Sequence, residues 1–226
     1  MSLNHVAIIP DGNRRFARGA KLSLWNGYKK GAAQFEQIMK ESFRNDVRYL
    51  TFWAASIDNL QKRSKQEVAF LVRLLKSYLK EMVESSDLMD EGVQVRIVGD
   101  GAKIVKDKEL DKCIAALEQK TEKNKDHFLT ILFGYDGRKE VLEAARKMGG
   151  KKGEEEFRKN LQTGSLPDLD LVIRTGGEPH WSAGFMMWQA ANTDFYFTEK
   201  LWPQFTKADL RKALSKALRR EKRLGK

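Results

Sequence analysis

Three short stretches concentrate the side chains that could do chemistry. The first is Pro10-Asp11-Gly12-Asn13-Arg14-Arg15-Phe16. A glycine lets the backbone approach a ligand closely, N–H groups at a helix start favour a phosphate, and paired arginines add charge-assisted donors. An aspartate among those positive groups suits a divalent cation held beside the same phosphate. The plainer reading of the stretch is an Asp-Gly turn with an N-cap and exposed arginines. It contains no GxxxxGK[ST] pattern and is therefore not a P-loop. The second stretch is Ser56-Ile57-Asp58-Asn59 with Lys62-Arg63, and the third is Arg174-Thr175-Gly176-Gly177-Glu178 leading to His180 and Ser182. In the third, glycines clear the approach, the guanidinium supplies a planar fork and Ser182 a hydroxyl. His180 reads equally as a phosphate donor or an exposed loop histidine. Asp194 is either a second metal carboxylate or an ordinary strand-edge acid.

The elements that must position these residues alternate in type. Apolar runs with strand character cover 6–9, 49–54, 93–98, 128–133, 169–173 and 194–197, and helical periodicity covers 29–45, 65–90, 108–124, 138–149, 154–162 and 206–222. The stretch from Phe185 to Asn192 also reads as helix-like. Near-continuous apolar strands separated by helices predict an α/β fold. The expectation is a single domain over 1–226, with a mostly parallel central sheet of about six strands covered by helices. In such sheets ligands bind beyond the carboxyl ends of the strands, and the three stretches follow the first, second and fifth strands. In 65–90, Val68, Phe70, Leu71, Leu74, Leu75, Tyr78, Leu79, Met82 and Val83 form a broad apolar stripe at helical spacing. Core packing explains that stripe, and so does the wall of a tunnel for a hydrocarbon chain.

Composition narrows the classes. The 226 residues are 41% hydrophobic and 32% charged, which excludes a disordered or fibrous chain. Apolar runs are too short to span a bilayer, no signal-peptide pattern opens the chain, and the single Cys113 cannot form an internal disulfide. A cytoplasmic protein is the expectation. Lys and Arg total 42 against 31 Asp and Glu, a net charge of +11 that suits nucleic acid, anionic lipid or phosphate-bearing substrates. Zinc-finger, RRM and basic-heptad signatures are absent, so nucleic acid is not the expected partner.

Taken together these motifs resemble the cis-prenyltransferases, the undecaprenyl and dehydrodolichyl diphosphate synthase family. The resemblance runs in order through 5–15, 56–65, 129–138, 170–178, 196–203 and 223–225, with the segments around Asp11 and Arg174 the most specific. It implies a homodimeric, magnesium-dependent enzyme that transfers an allylic prenyl group from its diphosphate onto isopentenyl diphosphate, with peripheral membrane association also expected. By the same resemblance, Asp11 positions the metal and Asp194 is the second metal carboxylate. Gly12, Asn13, Arg14 and Arg15 hold the allylic diphosphate with Arg63 as an additional arginine there, Phe16, Ser56 and Asp58 are substrate-binding, and Asn59 takes part in the reaction. Arg174, His180 and Ser182 bind the isopentenyl diphosphate, the tail residue Arg223 reaches a substrate site near the dimer interface, and the 65–90 helix lines the tunnel.

The chain departs from the family pattern in its substrate segments. Pro179-His180-Trp181-Ser182 stands where an arginine is usual before the serine, and Ala183-Gly184 adds a residue. Asp194 replaces a glutamate, Tyr28 stands at a histidine position, and Leu60 replaces an aromatic with Gln61 inserted. These departures imply weak use of isopentenyl diphosphate and few condensations. They also keep a different acceptor in view, namely another prenyl diphosphate or an alcohol. The remaining alternatives are a non-catalytic partner subunit, against which the retained Asp11 argues, and a nucleic-acid binder that uses the +11 charge.

Overall fold

The computed structural model describes residues 3–219. The strands are β1 His5–Ile9, β2 Tyr49–Ser56, β3 Val93–Val98, β4 His127–Tyr135, β5 Leu171–Arg174 and β6 Asp194–Phe197. The helices are α1 Asn13–Gly19, α2 Leu24–Arg44, α3 Ile57–Lys62, α4 Lys65–Glu84, α5 Asp87–Asp90, α6 Gly101–Val105, α7 Lys108–Thr121, α8 Gly137–Lys147, α9 Glu154–Asn160 and α10 Lys207–Leu218, with a 3-10 turn at Trp202–Gln204. The strands form one six-stranded sheet in the order β3-β4-β2-β1-β5-β6, and every pairing is parallel. This is the α/β architecture expected from the alternation of strands and helices.

The centre of the sheet explains its apolar composition. All five residues of β1 are buried because the strand is covered on both faces. Alternate side chains divide between two cores: Val6 and Ile8 pack with Phe35, Ile38, Leu79, Leu117 and Phe205. Ala7 and Ile9 pack on the other face with Trp53, Leu132, Val172, Phe185 and Met186. Register then places the functional loops. Ile9 pairs with Arg174 and Ile8 with Phe52, so the chain after β1, β2 and β5 emerges at one edge of the sheet.

Two expectations need correction. The 65–90 helix ends at Glu84, and a separate single turn follows at Asp87–Asp90. Ser85 and Ser86 lie between them, and serine side chains compete with the helix for backbone partners; Ser85 Oγ accepts from the Asp87 N–H at 3.1 Å. Nor is 185–192 a helix. Ala183, Gly184 and Met186 have φ of 47°, 61° and 43°, so the segment is a run of turns that a right-handed helix cannot contain. The helix expected over 206–222 ends at Leu218, capped at Arg219, and the expected Arg223 contact lies outside the described residues.

Candidate active site

The Asp11 loop is shaped by a glycine and tied down from two sides. After Ile9 the chain turns back on itself, with the Asp11 N–H donating to the Ile9 carbonyl at 3.0 Å. Gly12 follows at φ 107°, and a Cβ there would lie 2.8 Å from Leu201 Cδ2, so both the conformation and the space call for glycine. The Asp11 carbonyl accepts from Thr175 Oγ1 at 2.8 Å and from the Trp202 N–H at 2.9 Å. Loops after β1, β5 and β6 are thereby joined at one residue.

The Asp11 carboxylate, 38% exposed, faces two guanidinium groups: Arg15 at 3.3 Å and Arg174 at 3.4 Å. Arg15 also approaches Glu178 at 3.9 Å. Arg174 is the buried member, with a side chain 6% exposed. Its Nη1 donates to the His180 carbonyl at 2.8 Å and to Ser182 Oγ at 2.5 Å. Burial works against its charged form, and the Asp11 carboxylate opposes that pull. His180 stands on the open side, with Nε2 3.1 Å from Ser182 Oγ and Nδ1 3.7 Å from Glu178. The Arg174 fork is therefore preorganised, while the imidazole is exposed.

The second cluster is held by a helix start. Ser56 caps α3, accepting from the Asn59 N–H at 3.0 Å, while Asn59 Oδ1 accepts from the Ser56 N–H at 3.3 Å. With its oxygen engaged by the backbone, Asn59 offers a ligand chiefly its N–H donors. Asp58 pairs with Lys62 at 2.7 Å on the surface. Arg63 Nη1 donates to Tyr28 Oη at 2.9 Å and pairs with Glu67 at 3.2 Å, an engagement that the sequence did not foretell.

One cavity of about 880 Å³ connects these groups. Its mouth is lined by Asp11, Gly12, Asn13, Arg14, Arg15, Ser56, Asp58, Asn59, Arg63, Arg174, His180 and Ser182, with Tyr28 and Glu178, and also by Arg18, which sequence reasoning had not singled out. Its body is apolar, walled by Leu71, Leu74, Leu75, Tyr78, Leu79 and Met82 of α4 with Phe35, Phe52, Ile131 and Phe133. The α4 stripe thus does two jobs: Val68 and Val83 pack on the core, and Phe70 is exposed. Phe16 is a correction, because it lines a separate small cleft with Leu201 and Gln204 instead of the main cavity.

The carboxylates divide by strand direction. Asp194 opens β6 level with Leu171, which is itself level with Val6. That lies three residues, about 10 Å, below the Ile9 end of β1, where the Asp11 loop begins. Within one copy the structure does not bring Asp194 to Asp11. Glu199, beyond the other end of β6, was not singled out, yet its Oε2 lies 2.4 Å from where a Cβ on Gly177 would sit. Strand direction alone could have pointed to it, since the carboxyl end of β6 joins the loop edge.

No group of three or more His, Cys, Asp or Glu suited to a metal occurs among the described residues. Any cation here would take one carboxylate from Asp11 and complete its shell from substrate oxygens and water. Magnesium, which accepts hard oxygen donors and retains water beside phosphates, fits that donor set. Among the described residues, no helix is long and apolar enough to cross a membrane.

Residues 9–225 match the family model described as putative undecaprenyl diphosphate synthase. A tritrans,polycis-undecaprenyl-diphosphate synthase (geranylgeranyl-diphosphate specific) of Thermoplasma acidophilum is 34% identical, covering 98% of this chain and 88% of its own. An isoprenyl transferase of Rickettsia typhi is 35% identical over 100% and 99%. Among solved structures, lavandulyl diphosphate synthase from Lavandula x intermedia, in complex with dimethylallyl diphosphate, superposes with a TM-score of 0.92 at 32% identity, covering 100% of this chain and 99% of that one. A probable undecaprenyl diphosphate synthase from Campylobacter jejuni gives 0.81 at 27% identity, with both chains fully covered. With the arginine-flanked carboxylate, the apolar cavity and the parallel sheet all in place, the chain belongs to the cis-prenyltransferase (undecaprenyl diphosphate synthase) family and is a prenyl-group transferase.

Proposed function

We propose that this chain transfers an allylic prenyl group from its diphosphate onto isopentenyl diphosphate, forming a cis-polyprenyl diphosphate. The observation that carries the reading is the single cavity, charged at its mouth and apolar in its body. In the reaction the allylic C–O bond breaks, a carbon–carbon bond forms to the double bond of the acceptor, and a proton leaves. Diphosphate departs with the bonding electrons, so developing negative charge on its oxygens is what the site must stabilise.

Arg14, Arg15 and Arg63 with the Asn59 amide bind the departing diphosphate. Arg174, Ser182 and the His180 imidazole hold the acceptor's diphosphate nearby. Asp11 would hold Mg2+, which would supply charge neutralisation at the diphosphate oxygens. The α4 side chains shelter the growing hydrocarbon from water.

The functional unit is a homodimer. Because the sheet keeps Asp194 away from Asp11 within one copy, a role for Asp194 at the metal requires the second copy. The β6 edge carries exposed Phe195 and Phe197, stacked with centroids 5.8 Å apart, with Trp181 beside Phe195, a surface suited to being covered. Peripheral membrane contact is the remaining element. Trp25 lies 6.0 Å from exposed Phe70, with Lys29 and Arg73 over its ring at 5.8 and 5.6 Å. Aromatic rings among cations match an anionic lipid interface.

The test is mass analysis of products from purified protein with dimethylallyl, farnesyl or geranylgeranyl diphosphate and magnesium, with and without isopentenyl diphosphate. Elongated products that require isopentenyl diphosphate are expected. Product from an allylic diphosphate alone would overturn the acceptor assignment, and absence of product from every pair would overturn the enzymatic reading.

A further inference from the structure

A buried charge cluster at the joint between α3 and α4 has no part in the apolar core. Arg63 follows the last residue of α3, at φ −79° and ψ 161°, so it lies on no helical face. The next residue, Ser64, caps α4 and accepts from the Glu67 N–H at 3.2 Å, which sets the Glu67 backbone in the first helical turn. From α2, Tyr28 reaches across, donating to Glu67 Oε1 at 2.7 Å and accepting from Arg63 Nη1 at 2.9 Å. Arg63 and Glu67 themselves approach to 3.2 Å with side chains only 18% and 10% exposed. A phenol does both jobs at one atom, and it stays protonated here because burial raises its pKa.

Tyr28 and Arg63 both line the cavity, whereas Glu67 stands behind them. The guanidinium is planar, so fixing Nη1 also fixes the direction of the rest of the fork. We propose that Tyr28 and Glu67 are positioning residues that hold the Arg63 guanidinium toward a diphosphate at the cavity mouth and, through the same bonds, tie α2 to the α3–α4 joint. This deepens the proposed function and rests on Arg63 meeting a diphosphate. The chain has settled the matter with a tyrosine where the family resemblance expects a histidine.

The test measures inhibition by inorganic pyrophosphate and steady-state kinetics with farnesyl diphosphate for wild type, Tyr28→Phe, Glu67→Gln and Arg63→Ala. Tyr28→Phe and Glu67→Gln should each weaken pyrophosphate about tenfold and raise the farnesyl diphosphate KM in step, with kcat little changed. Because Arg63→Ala alone leaves the buried Glu67 without its cation, the comparison includes Arg63→Ala/Glu67→Gln and Arg63→Ala/Tyr28→Phe. Each double variant should bind pyrophosphate no more weakly than Arg63→Ala, as required if the two residues act through Arg63. Additive losses, or an unchanged KM in Tyr28→Phe and Glu67→Gln, would overturn the positioning role. Wild type that binds no pyrophosphate would instead overturn the functional reading on which it rests.

Discussion

Asp11→Asn separates the catalytic from the structural role of the central carboxylate. The substitution keeps the side chain's size and removes the charge facing Arg15 at 3.3 Å and Arg174 at 3.4 Å. The Arg15 pair joins side chains 45% and 38% exposed, where an ion pair contributes roughly 0–1 kcal/mol. Arg174 is buried but keeps the His180 carbonyl and Ser182 Oγ as acceptors, so it loses about one charge-assisted contact, partly screened. Stability should therefore fall by less than about 2 kcal/mol. Catalysis should fall much further: removing an electrostatic group aimed at developing charge costs about 10²–10³ in rate, or roughly 3–4 kcal/mol of barrier. The assay pairs denaturant unfolding with steady-state kinetics across a magnesium titration. A large drop in kcat/KM with a higher magnesium requirement and nearly unchanged unfolding is expected. A loss under about tenfold, or an unaltered magnesium dependence, would refute the reasoning.

At the acceptor site, His180→Arg adds a permanent charge beside Arg174 and Ser182. Discounted for exposure, one such contact of about 1 kcal/mol should lower the KM for isopentenyl diphosphate about fivefold. Unchanged KM and product length would show that the histidine is no handicap. Elsewhere, His5 is fully buried between the Pro167 carbonyl and Thr51 Oγ1, both at 2.8 Å, and burial lowers its pKa from 6.5 to about 4. The unfolded chain binds the extra proton in that window, so stability is complete above about pH 6.5 and falls toward pH 4 by about 3 kcal/mol. A His5→Asn variant should show a much flatter unfolding free energy over that range, and equal slopes would exclude His5 as the source. Finally, Trp25→Ser/Phe70→Ser should retain turnover, because neither residue lines the cavity, while losing most binding to phosphatidylglycerol vesicles. Undiminished sedimentation with those vesicles would place the membrane contact elsewhere.

Much of this protein is legible without its structure. Val6 to Ile9 is apolar at every position because a central parallel strand is covered on both faces, and that local property survives folding unchanged. The Asp11 and Arg174 loops are equally visible, since glycine at φ 107° or 93° beside arginine records a backbone requirement in residue type. Periodicity shows that α4 has an apolar stripe but not which neighbour each side chain meets. Only packing separates Leu71 and Leu74, which line the cavity, from Val68 on the core and Phe70 in solvent. The same limit applies to carboxylates. Asp194 and Glu199 are five residues apart in the chain, yet the short β6 strand carries one toward each end of the sheet. Tyr28, Arg63 and Glu67 are joined by contacts between residues up to 39 apart, with no local spacing rule to announce them. Sequence determined the strands, the loops and the kind of chemistry, because those depend on local preference and residue type. Tertiary structure decided which charges meet, because that depends on register and on the crossing of helices remote in the chain.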